Sequence, residues 1–484
     1  MVTEARAVPE PREVKMGDIK PPLPIRPLPE PPPLTVKDIV RWAGPAVILG
    51  SLAIGGFEAY HTGYVSSKGL INLFWLYWVS AIFQVFFNRE IAHWTMATGE
   101  TIFQGFARIR PGALWAWAGV IACILVMFWP AWIGGAAAQT AALLGGDPKI
   151  WAVAAIGSVF ILFAVSQYVY RVLEYIMWFV FVVGTGGVVI LSLLMTDAQR
   201  FFETLLGWLA IGTIPAGVTL TAIGPFLQQP LGGAWNAFHT FWIRERGMGM
   251  GAYIGRVTGL VARPEEVQVH GFTFDTTDPD ELRKWNRWMK LNTITLVVFM
   301  VVLGGMLFTF FASLAGYSAA RIYGMDLPSG WRIAVVLAEI FRSAYGPALF
   351  VLFAAFVLIS LYDSQYATYD GLARATTDVL WTEHRFVQRG RSYRFWYFVI
   401  LAVICLASMA TIPVGTPYEI WLLLSYIGMF SLPAYMFLTM YINNRYLPAE
   451  IRPRWYDNLM VIGFNAFLLL YGIAWVVFEF PPRT

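Results

Sequence analysis

The sequence predicts an all-α polytopic membrane protein of about eleven transmembrane helices, and three observations lead to this prediction. Hydrophobic residues make up 58% of the 484 residues and charged residues only 13%, too few charges to cover the apolar surface of a soluble protein. The apolar residues form stretches of about 20 residues, the length that crosses roughly 30 Å of hydrocarbon. Lysines and arginines are concentrated in alternate connections, as the positive-inside rule requires.

Each apolar stretch predicts one membrane crossing. The stretches lie near 42–65, 73–98, 114–144, 150–168, 170–195, 216–243, 292–316, 345–371, 395–411, 418–442 and 457–479. With a cytoplasmic N-terminus, most of the 34 lysines and arginines fall on cytoplasmic segments, and the C-terminus lies outside. We therefore expect an integral protein of a bacterial-type inner or plasma membrane. The net charge of +4 reflects this topology, so the expected partner is the lipid bilayer and not a nucleic acid.

The segments outside these crossings divide the chain further. PPLPIRPLPEPPPL at 21–34 predicts an extended polyproline II arm, either a solvated tether or a segment held by the protein's own cytoplasmic face or by a protein partner. DPDELRKWNRWMK at 278–290 predicts a capped basic helix whose tryptophans anchor at the lipid interface. The predicted domains are the arm 1–38, a first five-helix repeat 39–212, a second repeat 213–448 with a cytoplasmic loop 244–291, and an eleventh helix with a short C-terminus at 449–484.

Two similar stretches interrupt the first and sixth crossings. Residues 55–62 read GGFEAYHT and residues 232–240 read GGAWNAFHT. A glycine pair inside a transmembrane helix is costly unless the freed backbone groups find partners, because lipid offers none. Pro225 and Pro230 loosen the second stretch further. Paired interruptions in corresponding helices of two halves predict a transporter built from inverted repeats, with its substrate at the membrane midplane.

Polar side chains occur in both interruptions. When the two stretches are aligned, Glu58 corresponds to Asn236 and His61 to His239. Residues three apart share one face of a helix, so each pair projects together. A charge at the bilayer centre costs at least roughly 2.5–3.5 kcal/mol on insertion scales, which makes Glu58 the first candidate for a functional residue.

Four longer stretches carry a family resemblance. They are GPAVILGSLAIGGFEAYHTG at 44–63, WNAFHTFWIRERG at 235–247, LFVLFAAFVLISLYDSQYATYDGLARATTDVL at 349–380 and LLLSYIGMFSLPAYMFLTMYINNR at 422–445. Together they resemble the Nramp family of proton-coupled divalent metal transporters, within the LeuT-fold superfamily. The resemblance implies two inverted five-helix repeats, discontinuous first and sixth helices, and alternating access.

The chain also departs from that family and resembles a divergent branch of it. Gly55, Gly56, Phe57 and Glu58 stand where the family has Asp-Pro-Gly-Asn, and residues 233–236 stand where it has Met-Pro-His-Asn. Both metal motifs are therefore absent. Tyr426 occupies the place of a glutamine that approaches the metal in the family.

The first hypothesis is a divalent cation as the transported substrate, with possible proton coupling. Without a thioether ligand, the site favours magnesium or manganese, or zinc if both imidazoles bind it. The candidate metal ligands are Glu58, Asn236, His61 and His239. The substrate-binding candidates are Gly55, Gly56, Glu58, Gly233, Trp235, Asn236 and Tyr426, with His61, His239 and Asp363 as candidates for proton coupling or as further ligands.

The sequence is also compatible with two other functions. Phe57, Tyr60, Trp235 and Phe238 could line a pocket for an organic solute. A non-transporting structural subunit of a membrane complex, held by its N-terminal arm, is the third hypothesis. No hydrolytic triad, nucleotide loop or haem ligand set is recognisable, so neither an enzyme nor a cofactor is expected. Among the remaining polar residues, Gln228, Gln229 and Gln365 could line a pathway, and Arg89 and Glu90 are expected to form an interfacial ion pair.

Overall fold

The computed structural model describes residues 22–55, 61–166, 169–263, 267–268 and 270–480. Within these residues nine helices are long and apolar enough to cross a membrane, which confirms the all-α polytopic architecture. They are helix 2 (Ile71–Thr98), helix 3 (Ala113–Leu144), helix 4 (Pro148–Val165), helix 5 (Tyr170–Met195), helix 7 (Pro279–Arg321), helix 8 (Pro347–Glu383), helix 9 (Tyr393–Val414), helix 10 (Pro417–Tyr446) and helix 11 (Trp455–Phe478).

The two remaining predicted crossings are described as pairs of shorter helices: helix 6 is interrupted at 230–238, and helix 1 is described on either side of residues 56–60. Helix 1 consists of 1a (Gly44–Ala53) and 1b (Gly63–Ser67), and helix 6 consists of 6a (Leu220–Gln228) and 6b (His239–Arg246). Neither half is long enough to cross the bilayer alone, because a crossing takes about 20 residues. The interruption of helix 6 falls at the glycine pair 232–233, where the sequence predicted it, whereas the predicted break after Gly55 lies outside the described residues.

Local sequence signals explain where the long helices begin. Pro148, Pro279, Pro347 and Pro417 each occupy the first helical turn, where the missing N–H removes no hydrogen bond. Thr416 and Glu419 form a reciprocal capping box at the start of helix 10.

Helix 7 begins earlier than the sequence indicated. The predicted loop 244–291 includes the first turns of this helix, which runs unbroken from Pro279 to Arg321. The prediction that its tryptophans anchor in lipid is wrong, because Trp285 is 3% exposed and Trp288 is 1% exposed. Both are covered by the chain itself.

The proline-rich arm, residues 22–34, lies against this covered surface. Its prolines lack N–H groups but retain carbonyl acceptors, so the arm binds mainly through its carbonyl oxygens. Leu28 is buried, and its amide donates to Glu281 over 2.5 Å. The carbonyls of Pro24, Pro27, Pro29 and Pro32 accept hydrogen bonds from Thr273 N, Tyr253 Oη, Trp288 Nε1 and Arg287 Nη2. The described part of the arm is therefore held by the protein's own surface.

The connection between helices 6 and 7 joins several helix ends on this side of the molecule, which we call the arm face. Phe272 N donates to the carbonyl of Thr98 at the end of helix 2 over 2.8 Å. Gly259 N donates to Ser166 after helix 4 over 3.1 Å. The Gly259 carbonyl accepts from Arg394 of helix 9 over 3.0 Å. The connection thus links helices 2, 4 and 9 to the helices that it connects.

On the opposite face, Glu479 follows helix 11 and binds the start of helix 6a. Its carboxylate accepts hydrogen bonds from Leu220 N over 2.6 Å and from Thr221 N and Oγ1, each over 2.7 Å. The first amides of a helix have no partner within the helix and attract negative charge. Partial burial raises the pKa of Glu479, but the hydrogen bonds from Thr221 and Leu220 outweigh it and hold the pKa below its ordinary value.

We expect Glu479→Gln to lower the free energy of unfolding by about 1–2 kcal/mol at neutral pH. The figure is at the low end for hydrogen bonds to a charged group because Glu479 is partly exposed to solvent. Because the folded pKa lies below the unfolded value, this stabilisation is complete above about pH 5 and is lost as pH falls through the folded pKa. Thermal unfolding at pH 7 and near pH 3 measures it, with the exposed Glu450→Gln as control. Equal melting temperatures of wild type and Glu479→Gln at pH 7 would contradict this role.

Candidate functional site

The interruption of helix 6 is built from residues with positive φ. Leu231 has φ 52°, Gly232 has φ 105°, and Gly233 has φ 51° with ψ −117°. The Gly233 conformation is one that only glycine adopts readily, and a Cβ atom there would overlap the carbonyl oxygen of Gln228. Pro230, which cannot donate, begins the interrupted segment. The glycine pair noticed in the sequence is therefore required by the backbone geometry.

The glycine pair of helix 1 lies at the edge of the described residues, since Gly55 is described and Gly56 is not. Helix 1a ends at Ala53, and a wide helical turn follows at Ile54 and Gly55. On the other side of residues 56–60, the same kind of turn at His61 and Thr62 leads into helix 1b. Gly55 lies directly against helix 8, where a Cβ atom would overlap Ser360 O and Ser364 Oγ. Three of the residues singled out in the sequence, Gly56, Phe57 and Glu58, lie outside the described residues, as does Tyr60.

Asp363 of helix 8 is fully buried beside helix 1a. Ser51 Oγ donates to one carboxylate oxygen over 3.5 Å, and Ser364 Oγ donates to the other over 3.2 Å. Ser360 Oγ, one turn earlier, is buried with no hydrogen-bond partner among the described residues. Within that part of the chain no Lys, Arg or His forms an ion pair with Asp363. A carboxylate and three hydroxyl groups thus collect beside the end of helix 1a.

Asn236 is also fully buried, and its side chain is bound to helix 2. Its Oδ1 accepts from Asn88 Nδ2 over 2.8 Å, and its Nδ2 donates to Gln84 Oε1. Gln84 Nε2 and Asn88 Oδ1 have no further partner within the described residues. The Asn236 carboxamide lies near Gly232, which also contacts Leu49 of helix 1a. Asn236 therefore links the interruption in helix 6 to helix 2.

Gln228 ends helix 6a with both amide atoms buried and unpartnered among the described residues. Its side chain packs between Gly233 and Gly428 of helix 10. The neighbouring Gln229 donates to Ser425 Oγ over 3.2 Å. A fully buried amide without a partner is costly, which marks this position for a polar ligand or a water molecule.

Trp235 lies on the helix 8 side of the interruption. Its Nε1 donates to Thr368 Oγ1 over 2.7 Å, and its ring lies 4.5 Å from the ring of Trp132. Trp132 follows a bend in helix 3 at Pro130, where the Ile133 amide donates to Gln365 Oε1 over 3.2 Å. The two tryptophans form an aromatic wall beside the interrupted segment.

The two histidines occupy different surroundings. His61 Nδ1 lies 3.0 Å from Tyr418 Oη, at the start of helix 10, and the His61 ring packs on Phe226 of helix 6a and on Trp421. His239 packs on Trp242 of helix 6b, and neither of its ring nitrogens has a hydrogen-bond partner of good geometry within the described residues. The structure thus places the two histidines apart, one with helices 6a and 10 and one with helix 6b.

Tyr426 also lies away from Asn236. Its Oη donates to the carbonyl of Thr221 at the start of helix 6a, and its ring stacks on Trp475 of helix 11 at 3.9 Å. The prediction that Arg89 and Glu90 form an ion pair is wrong. Arg89 instead binds Asp457 of helix 11 over 3.2 Å, because successive helical positions face different neighbours.

Several residues of the site were not singled out in the sequence. Gln84 and Asn88 are spaced four apart within an apolar helix, a pattern that signals one polar helix face and could have been found. Ser51, Ser360 and Trp132 carry no such signal, because serine and tryptophan are common in transmembrane helices.

The site can hold a small cation or solute that binds to oxygen atoms of the protein. The described residues contain no group of three His, Cys, Asp or Glu side chains that could bind a metal by themselves. Hydroxyl groups and carbonyl oxygens would have to complete the shell around Asp363, as they do for hard cations. The unpartnered Gln228 amide offers both a donor and an acceptor to a polar solute.

These features define an all-α membrane fold in which the interrupted segment of helix 6 packs against helices 1, 2 and 8. No family model matches the chain, and no curated protein matches its sequence. Among solved structures, a mutant manganese transporter of Eremococcus coleocola is similar, with TM-score 0.60 and 14% identity over 94% of this chain and 91% of that one.

Two further structures are similar. The same Eremococcus coleocola transporter bound to an aromatic bis-isothiourea compound has TM-score 0.58 and 14% identity, covering 91% of this chain and 87% of that chain. MHP1, a nucleobase-cation-symport-1 family transporter with bromovinylhydantoin bound, has TM-score 0.50 and 15% identity over 92% of this chain and 94% of that chain. At these identities the similarity establishes the fold alone.

Proposed function

We propose that the protein is a secondary transporter that moves a divalent cation across the membrane by alternating access, coupled to protons. The observation that carries this proposal is Asp363, a fully buried carboxylate without an ion-pair partner among the described residues, placed beside the end of helix 1a. An ionisable residue inside a membrane is costly and is retained for function by default. Rocking one group of helices about the interruptions would expose the site to each side in turn.

The chemistry around Asp363 favours a hard cation. Its carboxylate, the hydroxyls of Ser51, Ser360 and Ser364, and the backbone at Gly55 are all oxygen ligands or carry them. Magnesium and manganese prefer such ligands, whereas softer metals prefer sulfur and imidazole. Glu58, which lies outside the described residues, is the second carboxylate that the sequence offers as a ligand.

A polar organic solute is the second candidate substrate, and Gln228 favours it. This amide has no partner among the described residues, and the Trp132–Trp235 wall lies beside the same interrupted segment. Pockets for organic solutes combine aromatic walls with a few polar groups of this kind. The third hypothesis, a structural subunit held through its arm, has lost one of its supports because residues 22–34 bind the chain's own surface.

We expect Asp363→Asn to weaken cation binding at least about tenfold, since even second-shell residues of metal sites contribute that much, and to abolish uptake. Calorimetric titration with magnesium, manganese and zinc measures binding. Uptake into liposomes with and without a pH gradient measures transport and coupling. Glu58→Ala tests the second carboxylate, and the exposed Asp326→Asn is the matched control.

The outcomes separate the candidates. Uptake by wild type and Asp326→Asn but not by Asp363→Asn supports a cation transporter. If folded wild-type protein neither binds nor moves any of the three ions, the cation proposal is wrong. Binding of an organic solute that Gln228→Ala abolishes would then identify the second candidate as correct.

A further inference from the structure

Glu90 of helix 2 is another buried carboxylate without an ion-pair partner among the described residues, and it shares no hydrogen-bond partner with Asp363. It is fully buried, and its neighbour across the interface is Asn443 of helix 10. Asn443 Nδ2 donates to Glu90 Oε2 over 2.6 Å and to the Glu90 carbonyl over 2.8 Å. The contact therefore fastens helix 2 to helix 10 through one amide group.

The charged groups around Glu90 neutralise each other and leave its own charge uncompensated. Arg89, the adjacent cation, is bound to Asp457 of helix 11 through Nε and Nη2, both at 3.2 Å, and also to Thr293 of helix 7. No ion pair joins Glu90 to a Lys, Arg or His within the described residues.

The other titratable groups nearby do not supply the missing proton donor. His93 Nδ1 lies 2.8 Å from the Arg89 carbonyl, which can only accept, so Nδ1 carries the hydrogen. The Nε2 atom of the neutral ring is then an acceptor. The charged residues of helix 6b have partners of their own: Arg244 pairs with Asp378, and Glu245 pairs with Arg374. Arg454 lies at the start of helix 11.

Two acceptor atoms of this contact have no donor. Glu90 Oε1 and Asn443 Oδ1 are both buried and unpartnered within the described residues. Magnesium or calcium would require about six or more oxygen ligands, and zinc about four, so two oxygen atoms cannot provide either shell. A single proton on Oε1 removes the buried charge and turns that oxygen into a donor.

We propose that Glu90 is a proton-binding site of the helix 2–helix 10 interface, distinct from the site at Asp363. The bound proton keeps the carboxyl group neutral while Asn443 holds its second oxygen. Separation of the two helices would break the Asn443 contact and change the environment of the proton. The proton site follows from the packing of Glu90 and holds whether or not the protein transports a cation.

Infrared spectroscopy of the purified full chain tests the proposal, because the C=O stretch of a protonated carboxyl group is separate from carboxylate bands. Wild-type protein at pH 7 should show such a band, and Glu90→Gln should lose it. Asn443→Ala should shift the frequency of the band, since it removes the hydrogen bond to Oε2. Asn444→Ala is the matched control, because Asn444 binds Asn458 and not Glu90.

Thermal unfolding verifies that each variant is folded. Gln resembles a protonated Glu in shape and in having a donor, so we expect Glu90→Gln to melt near the wild-type temperature. A spectrum unchanged between wild type and folded Glu90→Gln would overturn the proposal. If Glu90→Gln does not fold, a band unchanged in Asn443→Ala would overturn it equally. Neither measurement depends on uptake, so a failure of the proton-site proposal can be distinguished from a failure of the transport proposal.

Discussion

Arg374→Met is expected to lower the free energy of unfolding by about 3–5 kcal/mol, the effect of leaving buried charges without their partner. Arg374 of helix 8 is fully buried. Its Nε donates to Asp370 over 2.7 Å, and its Nη1 binds Glu245 of helix 6b. Tyr397 of helix 9 donates to the same Asp370 over 2.7 Å. Removal of the guanidinium leaves two carboxylates buried with no cation.

A second buried ion pair lies next to the first, because Arg244 and Glu245 are adjacent on helix 6b. Loss of Arg374 therefore affects both pairs. Arg244 binds Asp378 over 3.1 Å, and Asp378 also accepts from Tyr393 over 2.5 Å and from Thr101 over 3.0 Å. Helices 6b, 8 and 9 are therefore joined on the arm face by one network of charges and hydroxyl groups. Loss of Arg374 should loosen all three helix ends together.

Chemical or thermal unfolding in detergent measures the loss, with the exposed Arg389→Met as control. Adding Asp370→Asn and Glu245→Gln to Arg374→Met removes the unpaired charges, so part of the lost stability should return. An Arg374→Met protein as stable as Arg389→Met would show that the network does not stabilise the fold. No recovery in the triple variant would show that packing, and not charge, is the cause.

Periodicity and composition were sufficient to predict the membrane crossings. A chain in lipid must satisfy its own backbone hydrogen bonds, so each apolar stretch of sufficient length becomes a helix. The glycine pair at 232–233 predicted the interruption of helix 6 for the same reason, since freed backbone groups need protein partners. Helix 7 was placed too late because its first turns, beginning at Pro279, are polar and lie against the arm.

The partners of the site residues could not be predicted in this way. Asn236 binds Gln84 and Asn88, which are about 150 residues away in the chain, and only the packing of helix 6 on helix 2 brings them together. Arg374 lies within a recognised stretch of helix 8, but its partner Glu245 is 129 positions away. Such pairs depend on tertiary contacts that one sequence does not specify.

Gly233→Leu is expected to abolish uptake while leaving the long helices folded. Gly233 has φ 51° and ψ −117°, a conformation that costs about 1–3 kcal/mol for a residue with a side chain. A Cβ atom would also overlap the Gln228 carbonyl, so the substitution must move the end of helix 6a or the start of the interrupted segment. Either movement displaces the Gln228 amide and the Asn236 carboxamide from their present places.

Gly157→Leu on helix 4 is the matched control, since no atom lies within 4 Å of a Cβ built there. Both variants add the same side chain to a membrane helix, so a difference between them reports the interruption and not the added bulk. Uptake should be near the wild-type rate in Gly157→Leu and undetectable in Gly233→Leu. Gly233→Ala should lie between wild type and Gly233→Leu, because the positive φ alone strains it. Wild-type uptake by folded Gly233→Leu would mean that helix 6 does not need its interruption to carry the substrate.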